Sequence, residues 1–161
     1  MELSFRFAER QDTSLILSFI KELADYEGLL SEVKATEEIL SSSLFDRKKA
    51  EVLFPIVGGK EIGFALFFHN FSTFLGKPGL YIEDLYVKPE YRGRGYGTAV
   101  IEKLCSIALE RDCGRVEWWC LDSNKPSIDF YLGLGAERMD DWTVYRITGE
   151  TLERLGRKSG K

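Results

Sequence analysis

The chain has 161 residues, 44% of them hydrophobic and 13% aromatic, which suits one domain with a substantial core. Its net charge of −4 argues against nucleic acid as the main partner and mildly favours a cationic small molecule. Cys105, Cys113 and Cys120 are odd in number and lack CxxC spacing, and His69 is the only histidine, so disulfides, a structural metal site and a histidine-based triad are not expected. No early basic-then-apolar stretch resembles a signal peptide, and apolar runs such as 62–68 are too short for a membrane span. A cytoplasmic protein without membrane association is therefore expected.

In chain order, "LSFRFAE" alternates Leu3, Phe5 and Phe7 with polar residues and predicts a half-buried strand. Asp12 offers an N-cap for a helix carrying Leu15, Ile16, Phe19, Ile20 and Leu23, which ends near Gly28. Thr36, with Glu37 and Glu38 in the first turn, starts a short helix through about Phe45. "AEVLFPIVGGKEIGFALFFHNF" predicts a hairpin turning at Gly58 and Gly59, followed by a turn-rich loop over 70–79. "LYIEDLYVKP" is then a fourth strand, stopped by Pro89. A glycine loop opens a helix with Val100, Ile101, Leu104, Ile107 and Ala108 on its apolar face. "RVEWWCL" predicts a fifth strand, Pro126 suits the first turn of a helix over about 127–134, and Gly135 closes it. Two short strands over 136–148 and a terminal helical turn or two at "TGETLERL" complete an α/β (α+β) pattern of helices spaced among strands.

The chemistry concentrates in "EYRGRGYG". Gly93, Gly95 and Gly97 allow tight turns and close approach of a ligand, and the unsatisfied amides that begin a helix attract phosphate oxygens. Arg92 and Arg94 add positive charge. A Walker loop would need GK[ST], and Gly97 is followed by Thr98 with no lysine; a Rossmann fingerprint would need GxGxxG, and these glycines recur at every second position. A plain basic turn between strand and helix is the remaining reading of the loop alone.

The segment RGRGYG resembles the pyrophosphate loop of the GNAT acetyltransferases, [RQ]xxGx[GA], with Arg92, Gly95 and Gly97 at its fixed positions. "LYIEDLYVKPEYRGRGYG", "LDSNKPSIDFYLGLGA", "ELADYEGLLSEV" and the tryptophan of "DDWTVYRI" resemble the subgroup holding diamine (spermidine/spermine) and thialysine acetyltransferases, over nearly the whole chain. The resemblance implies a single domain over residues 1–156 with a charged tail over 157–161. It also implies the GNAT fold: a mixed, twisted sheet of six to seven strands, flanked by about four helices, whose fourth and fifth strands splay to admit acetyl-CoA. Backbone groups of Leu85, Tyr86 and Val87 would then meet the pantetheine arm. Amides of Arg92, Gly93, Arg94, Gly95, Tyr96, Gly97 and Thr98 would hold the pyrophosphate, and Asn124 and Ser127 the rest of the cofactor. Where the diamine enzymes carry basic residues after the tyrosine, this chain has Leu132 and Leu134, so the 3′-phosphate falls to Arg94, another cation or solvent.

Acetylation of an amine requires removal of a proton and an acid for the departing thiolate. The resemblance gives Tyr131 the acid role and sets Glu83 and Asp84 on the fourth strand. Adjacent strand residues point to opposite faces, so one carboxylate alone is expected to line a given side, and Glu83 is assigned to the amine as base or anchor. Tyr26 and Glu27 match positions that touch the substrate. Glu22, Asp25, Glu27 and Glu32 suit a cationic amine, and Ser72, Thr73 and Phe74 replace the acid and proline of the diamine enzymes, which favours a lysine-like amine over a long polyamine. A protein-lysine acetyltransferase and a non-catalytic acyl-CoA-binding module are the alternatives. The resemblance also implies a homodimer, the usual state of this branch, with Phe68, Phe71, Phe74 and Trp142 as candidates for its interface.

Overall fold

Period-two alternation needs a partner strand on at least one side before its backbone groups are satisfied. The computed structural model, which describes residues 2–160, supplies those partners in one mixed sheet. The strands are β1 (Leu3–Phe7), β2 (Glu51–Val57), β3 (Lys60–Glu61), β4 (Gly63–Ser72), β5 (Lys77–Val87) and β6 (Val116–Trp118). Their order is β1-β2-β4-β5-β6, with β3 paired to β2. All pairings are antiparallel except β5 with β6, which is parallel. The helices are α1 (Thr13–Tyr26), α2 (Glu37–Ser41), α3 (Tyr96–Glu110), α4 (Lys125–Gly133) and α5 (Gly149–Ser159). The chain forms two compact units, one ending at Leu121 and the other beginning at Asp122. Among the described residues, no helix is long and apolar enough to cross a membrane.

In the first unit, alternation along the strands feeds two cores, one on each face of the sheet. Leu53, Ala65, Phe67, Leu80 and Ile82 pack with Val100, Leu104 and Ile107 of α3. Val52, Phe54, Phe64 and Tyr86 pack on the other face with Ile16 and Phe19 of α1. Each fully buried Phe or Leu contributes about 1.5–3 kcal/mol, so the two faces together hold β5 firmly in the middle of the sheet.

Local details differ from the sequence reading in five places. Asp12 stands at the α1 N-cap, but its carboxylate accepts two bonds from the Arg6 guanidinium, at 2.8 and 2.9 Å, and one from the Glu9 amide at 2.8 Å instead of capping the helix. Arg6 also reaches Glu61 at 2.7 Å, which holds both carboxyls below their usual range. The loop expected over 70–79 is a tight turn, because β4 runs to Ser72 and β5 starts at Lys77. In the second unit, α4 begins two residues earlier than expected, with Asn124 as its cap. Among the described residues, 136–148 contain no strand: Trp142, Val144, Tyr145 and Ile147 are exposed, and alternation without a hydrogen-bonded neighbour makes no ladder. The terminal turn is longer than expected, since α5 extends through Ser159 with a Glu153–Arg157 pair and with Arg157 and Lys158 at its C-terminal end, where cations are favoured.

Candidate active site

β5 changes character halfway along. Residues 80–82 pair with β4 on one side and with β6 on the other, Leu80 to Val116, Tyr81 to Glu117 and Ile82 to Trp118. From Glu83 to Val87 the pairing continues only on the β4 side among the described residues. The expected splay of the fourth and fifth strands is this parting of β5 from β6.

At the same point the β4 register slips, with Phe67 opposite Ile82 but Leu66 opposite Asp84, so Glu83 is an extra residue in a β-bulge. The bulge reverses facing. Leu80 and Ile82 belong to the α3 face, yet so does Leu85, while Tyr86 belongs to the α1 face. Counting outward from each side, Glu83 follows Tyr81 and Asp84 precedes Tyr86 by two, so both carboxylates fall on the α1 face. The expectation that these neighbours point to opposite faces is therefore corrected: an inserted residue breaks the alternation on which it rested.

That shared face gathers negative charge. Burial first, then the nearby charges of Glu83 and Glu27, push the Asp84 carboxyl up to about 6. Desolvation also raises Glu27, which caps α1 beside the exposed ring of Tyr26. Glu83 itself is exposed, and its charge is one of the causes that raise the Tyr81 phenol, after burial. Tyr86 donates its hydroxyl to Glu22 at 2.9 Å, and burial with that bond pushes its phenol up to about 12. A half-buried carboxylate crowded by two others lacks positive charge, which a cationic ligand would provide. The sequence marked the two acids in an apolar strand, but no glycine or proline there signals the bulge that unites them.

Beyond Val87 the chain turns through Pro89 and Tyr91 into the glycine loop. Gly93 and Gly95 have φ of 77° and 83°, and Gly95 is the N-cap of α3. A Cβ at either position would meet nothing, so glycine serves the left-handed backbone and not a steric need. Ala99 donates the first intrahelical bond, to Gly95 at 3.1 Å, which leaves the amides of Tyr96, Gly97 and Thr98 ahead of the ladder. This half of the loop fits an anion. Arg94 lies over the Tyr91 ring at 5.9 Å. Arg92 is turned elsewhere: its amide donates to Pro89, its Nε donates to the Val87 carbonyl at 2.8 Å, and its guanidinium lies 4.7 Å from the Tyr26 ring and 5.5 Å from that of Tyr86. The sequence reading of Arg92 as phosphate charge had no signal for this side-chain placement.

The second unit holds the remaining candidates. Asn124 caps α4 by accepting the Ser127 amide at 3.4 Å. Tyr131 is half-buried near the far end of that helix with its ring 5.5 Å from Phe130. The end is fixed by Gly135, at φ 95°, and by the Ala136 amide donating to the Tyr131 carbonyl at 3.1 Å.

The Acetyltransferase (GNAT) family matches residues 18–136, most of the chain and all of the loop and carboxylates described above. The chain belongs to the GNAT acetyltransferases. It is 36% identical over 165 residues to the thialysine N-epsilon-acetyltransferase of Bos taurus, covering 95% of this chain and 96% of that one. It is 30% identical to the spermidine/spermine N(1)-acetyltransferase-like protein 1 of Homo sapiens, over 91% of this chain and 23% of that longer protein. Among solved structures it resembles an acetyltransferase from Clostridium acetobutylicum determined with acetyl-CoA, at a TM-score of 0.70 and 21% identity, covering 90% of this chain and 96% of the other. The GNAT family uses acetyl-CoA, and the match makes this protein an N-acetyltransferase.

Proposed function

We propose that this GNAT enzyme transfers the acetyl group of acetyl-CoA to a primary amine of a small cationic metabolite, a thialysine- or lysine-like amine ahead of a diamine or polyamine. The observation that carries the reading is the meeting, on one face of β5, of Glu83, Asp84 and the charge of Glu27, at the strand end that leads into the α3 loop. The resemblance to a thialysine acetyltransferase over almost the full length of both chains supports the choice of a lysine-like amine.

Acetyl-CoA supplies an activated thioester acetyl group. The first-turn amides of Tyr96, Gly97 and Thr98, with Gly93, Arg94 and Gly95, hold its pyrophosphate, and backbone groups of Leu85, Tyr86 and Val87 on the parted edge of β5 hold its pantetheine arm. Asn124 and Ser127 contact the rest of the cofactor. Asp84, Glu27 and Tyr26 receive the cationic amine, and ionisation of Asp84 becomes easier once an ammonium lies beside it. Glu83 takes up the proton that the amine must lose, directly or through water, and Tyr131 Oη provides the proton required by the leaving sulfur. We further propose that residues 1–156 act as one acetyltransferase domain with 157–161 as a charged tail, a reading favoured by a family match that spans both units. The same reading makes the enzyme a cytoplasmic homodimer that binds no nucleic acid. The exposed rings of Phe71, Phe74 and Trp142 support an interface, whereas Phe68 is half-buried against Tyr81.

The test is coenzyme A thiol release from acetyl-CoA with thialysine, lysine, ornithine, putrescine, spermidine and a lysine-containing peptide at pH 7 and 9. Selective turnover of thialysine or lysine is the expected result. Turnover of the peptide alone would replace the metabolite by a protein substrate, and coenzyme A binding with no turnover would replace the enzyme by a binding module.

A further inference from the structure

A Cβ at Gly93 or Gly95 would meet nothing, and the exposed Arg92 attaches the start of the loop to the rest of the first unit. It does so at two places: Nε donates to the Val87 carbonyl at the end of β5, and the guanidinium lies over Tyr26, the last residue of α1, and over Tyr86. Tyr86 in turn is locked by its bond to Glu22 of α1 and by its ring contact with Phe19 at 6.0 Å. Tyr26 has no such anchorage in the core; it is 53% exposed and precedes Glu27, one of the three carboxylates of the amine side. One guanidinium thus joins the loop assigned to acetyl-CoA with the helix end assigned to the amine.

We propose that Arg92 is a positioning residue that couples the two ligand sites, setting the loop by stacking on Tyr26 so that ordering one site favours the other. The inference rests on the acetyl-CoA and amine reading above and adds to it a role for Arg92 away from the phosphates. Coupling of this kind is reciprocal: whatever the Tyr26 ring contributes to the loop must appear as affinity for a ligand that Tyr26 itself need not touch. An exposed cation–π contact is worth about 0.5–1 kcal/mol, which corresponds to a change of about 2- to 5-fold in affinity.

The experiment is calorimetry with coenzyme A on the whole chain and on Tyr26→Leu, Tyr26→Phe, Arg92→Met and the Tyr26→Leu/Arg92→Met pair. Tyr26→Leu should weaken coenzyme A binding about 2- to 5-fold, Tyr26→Phe should restore it because the ring face and not the hydroxyl is used, and the Tyr26→Leu loss should vanish when Arg92 is already Met. Equal affinity for the wild type and Tyr26→Leu, or the same loss in the Arg92→Met background, would overturn the coupling while leaving the acetyltransferase reading intact. A wild-type chain that binds no coenzyme A would instead overturn the cofactor reading and the coupling with it. Phe at position 26 separates a lost ring contact from a disturbed helix end, since a general disturbance has no reason to spare that variant.

Discussion

The two halves of β5 share a strand but not a chemistry. Residues 77–82 are ordinary sheet: Leu80 and Ile82 alternate into the α3 core, and both edges of residues 80–82 are paired. Residues 83–87 carry one extra residue and a single paired edge, and they are the part that shows a carboxyl pushed up to about 6. The lesson is that one inserted residue does three things together. It sends two acids to the same face, it coincides with the parting of β5 from β6, and it leaves Tyr86 and Val87 where α1 and Arg92 can reach them.

The largest effects should come from the groups proposed to move protons. Glu83→Gln, in the bulged half, should lower kcat by roughly 10²-fold or more with acetyl-CoA binding kept, and Tyr131→Phe should do the same. An unchanged kcat in either variant removes that residue from the chemistry. A stability comparison follows. Gly63 faces the bulged half, where a Cβ would collide with the Tyr86 carbonyl, whereas Gly79 lies in the regular half, where a Cβ would meet the Asn70 side chain. Gly63→Ala should cost about 3 kcal/mol because backbone cannot yield, and Gly79→Ala about 1 kcal/mol, measured by urea denaturation. Equal losses would contradict this difference between the two halves. Gly95→Val forces a β-branched residue to φ 83°, so coenzyme A binding by calorimetry should weaken by about 1–3 kcal/mol before amine binding suffers.

A further comparison concerns pH. The Asp84 carboxyl is raised from 3.8 to about 6, so its protonated form suits the fold: its contribution is complete below about pH 4 and lost as pH rises through about 6. Asp84→Asn should therefore stabilise the protein by about 1–2 kcal/mol at pH 8 and much less at pH 4. In turnover the proposed role of Asp84 gives the opposite sign, because an ionised carboxylate would attract the amine: kcat/KM should rise as pH passes about 6, and Asp84→Asn should flatten that limb.

Much of this was legible in the residues. The period of Leu15, Ile16 and Phe19 gave α1, Gly28 its end, Thr36 the cap of α2, and the glycines the mouth of α3, because each depends on local chemistry. β1, β2, β4, β5 and β6 of the sheet were read from the sequence, whereas the two-residue β3 was not and, among the described residues, the two strands expected over 136–148 are absent. The bulge was not legible: "YIEDLYV" reads as an apolar run holding two acids, with no glycine or proline to mark a bulge, and only packing of Leu85 and Tyr86 on opposite cores selects the slipped register. Arg92 was legible as charge but not as a stack on Tyr26, 66 positions earlier in the chain. "DDWTVYRI" misled for the converse reason, since its pattern suits a strand and the structure gives it no ladder.

The most direct test of the central claim is the titration of the Asp84 carboxyl by carbon NMR, with and without thialysine. A value near 6 that falls when the amine is added would agree with a crowded carboxylate awaiting a cation. A value close to the ordinary 3.8, or one indifferent to the amine, would contradict the assignment of the bulged half of β5 as the place where the substrate is received.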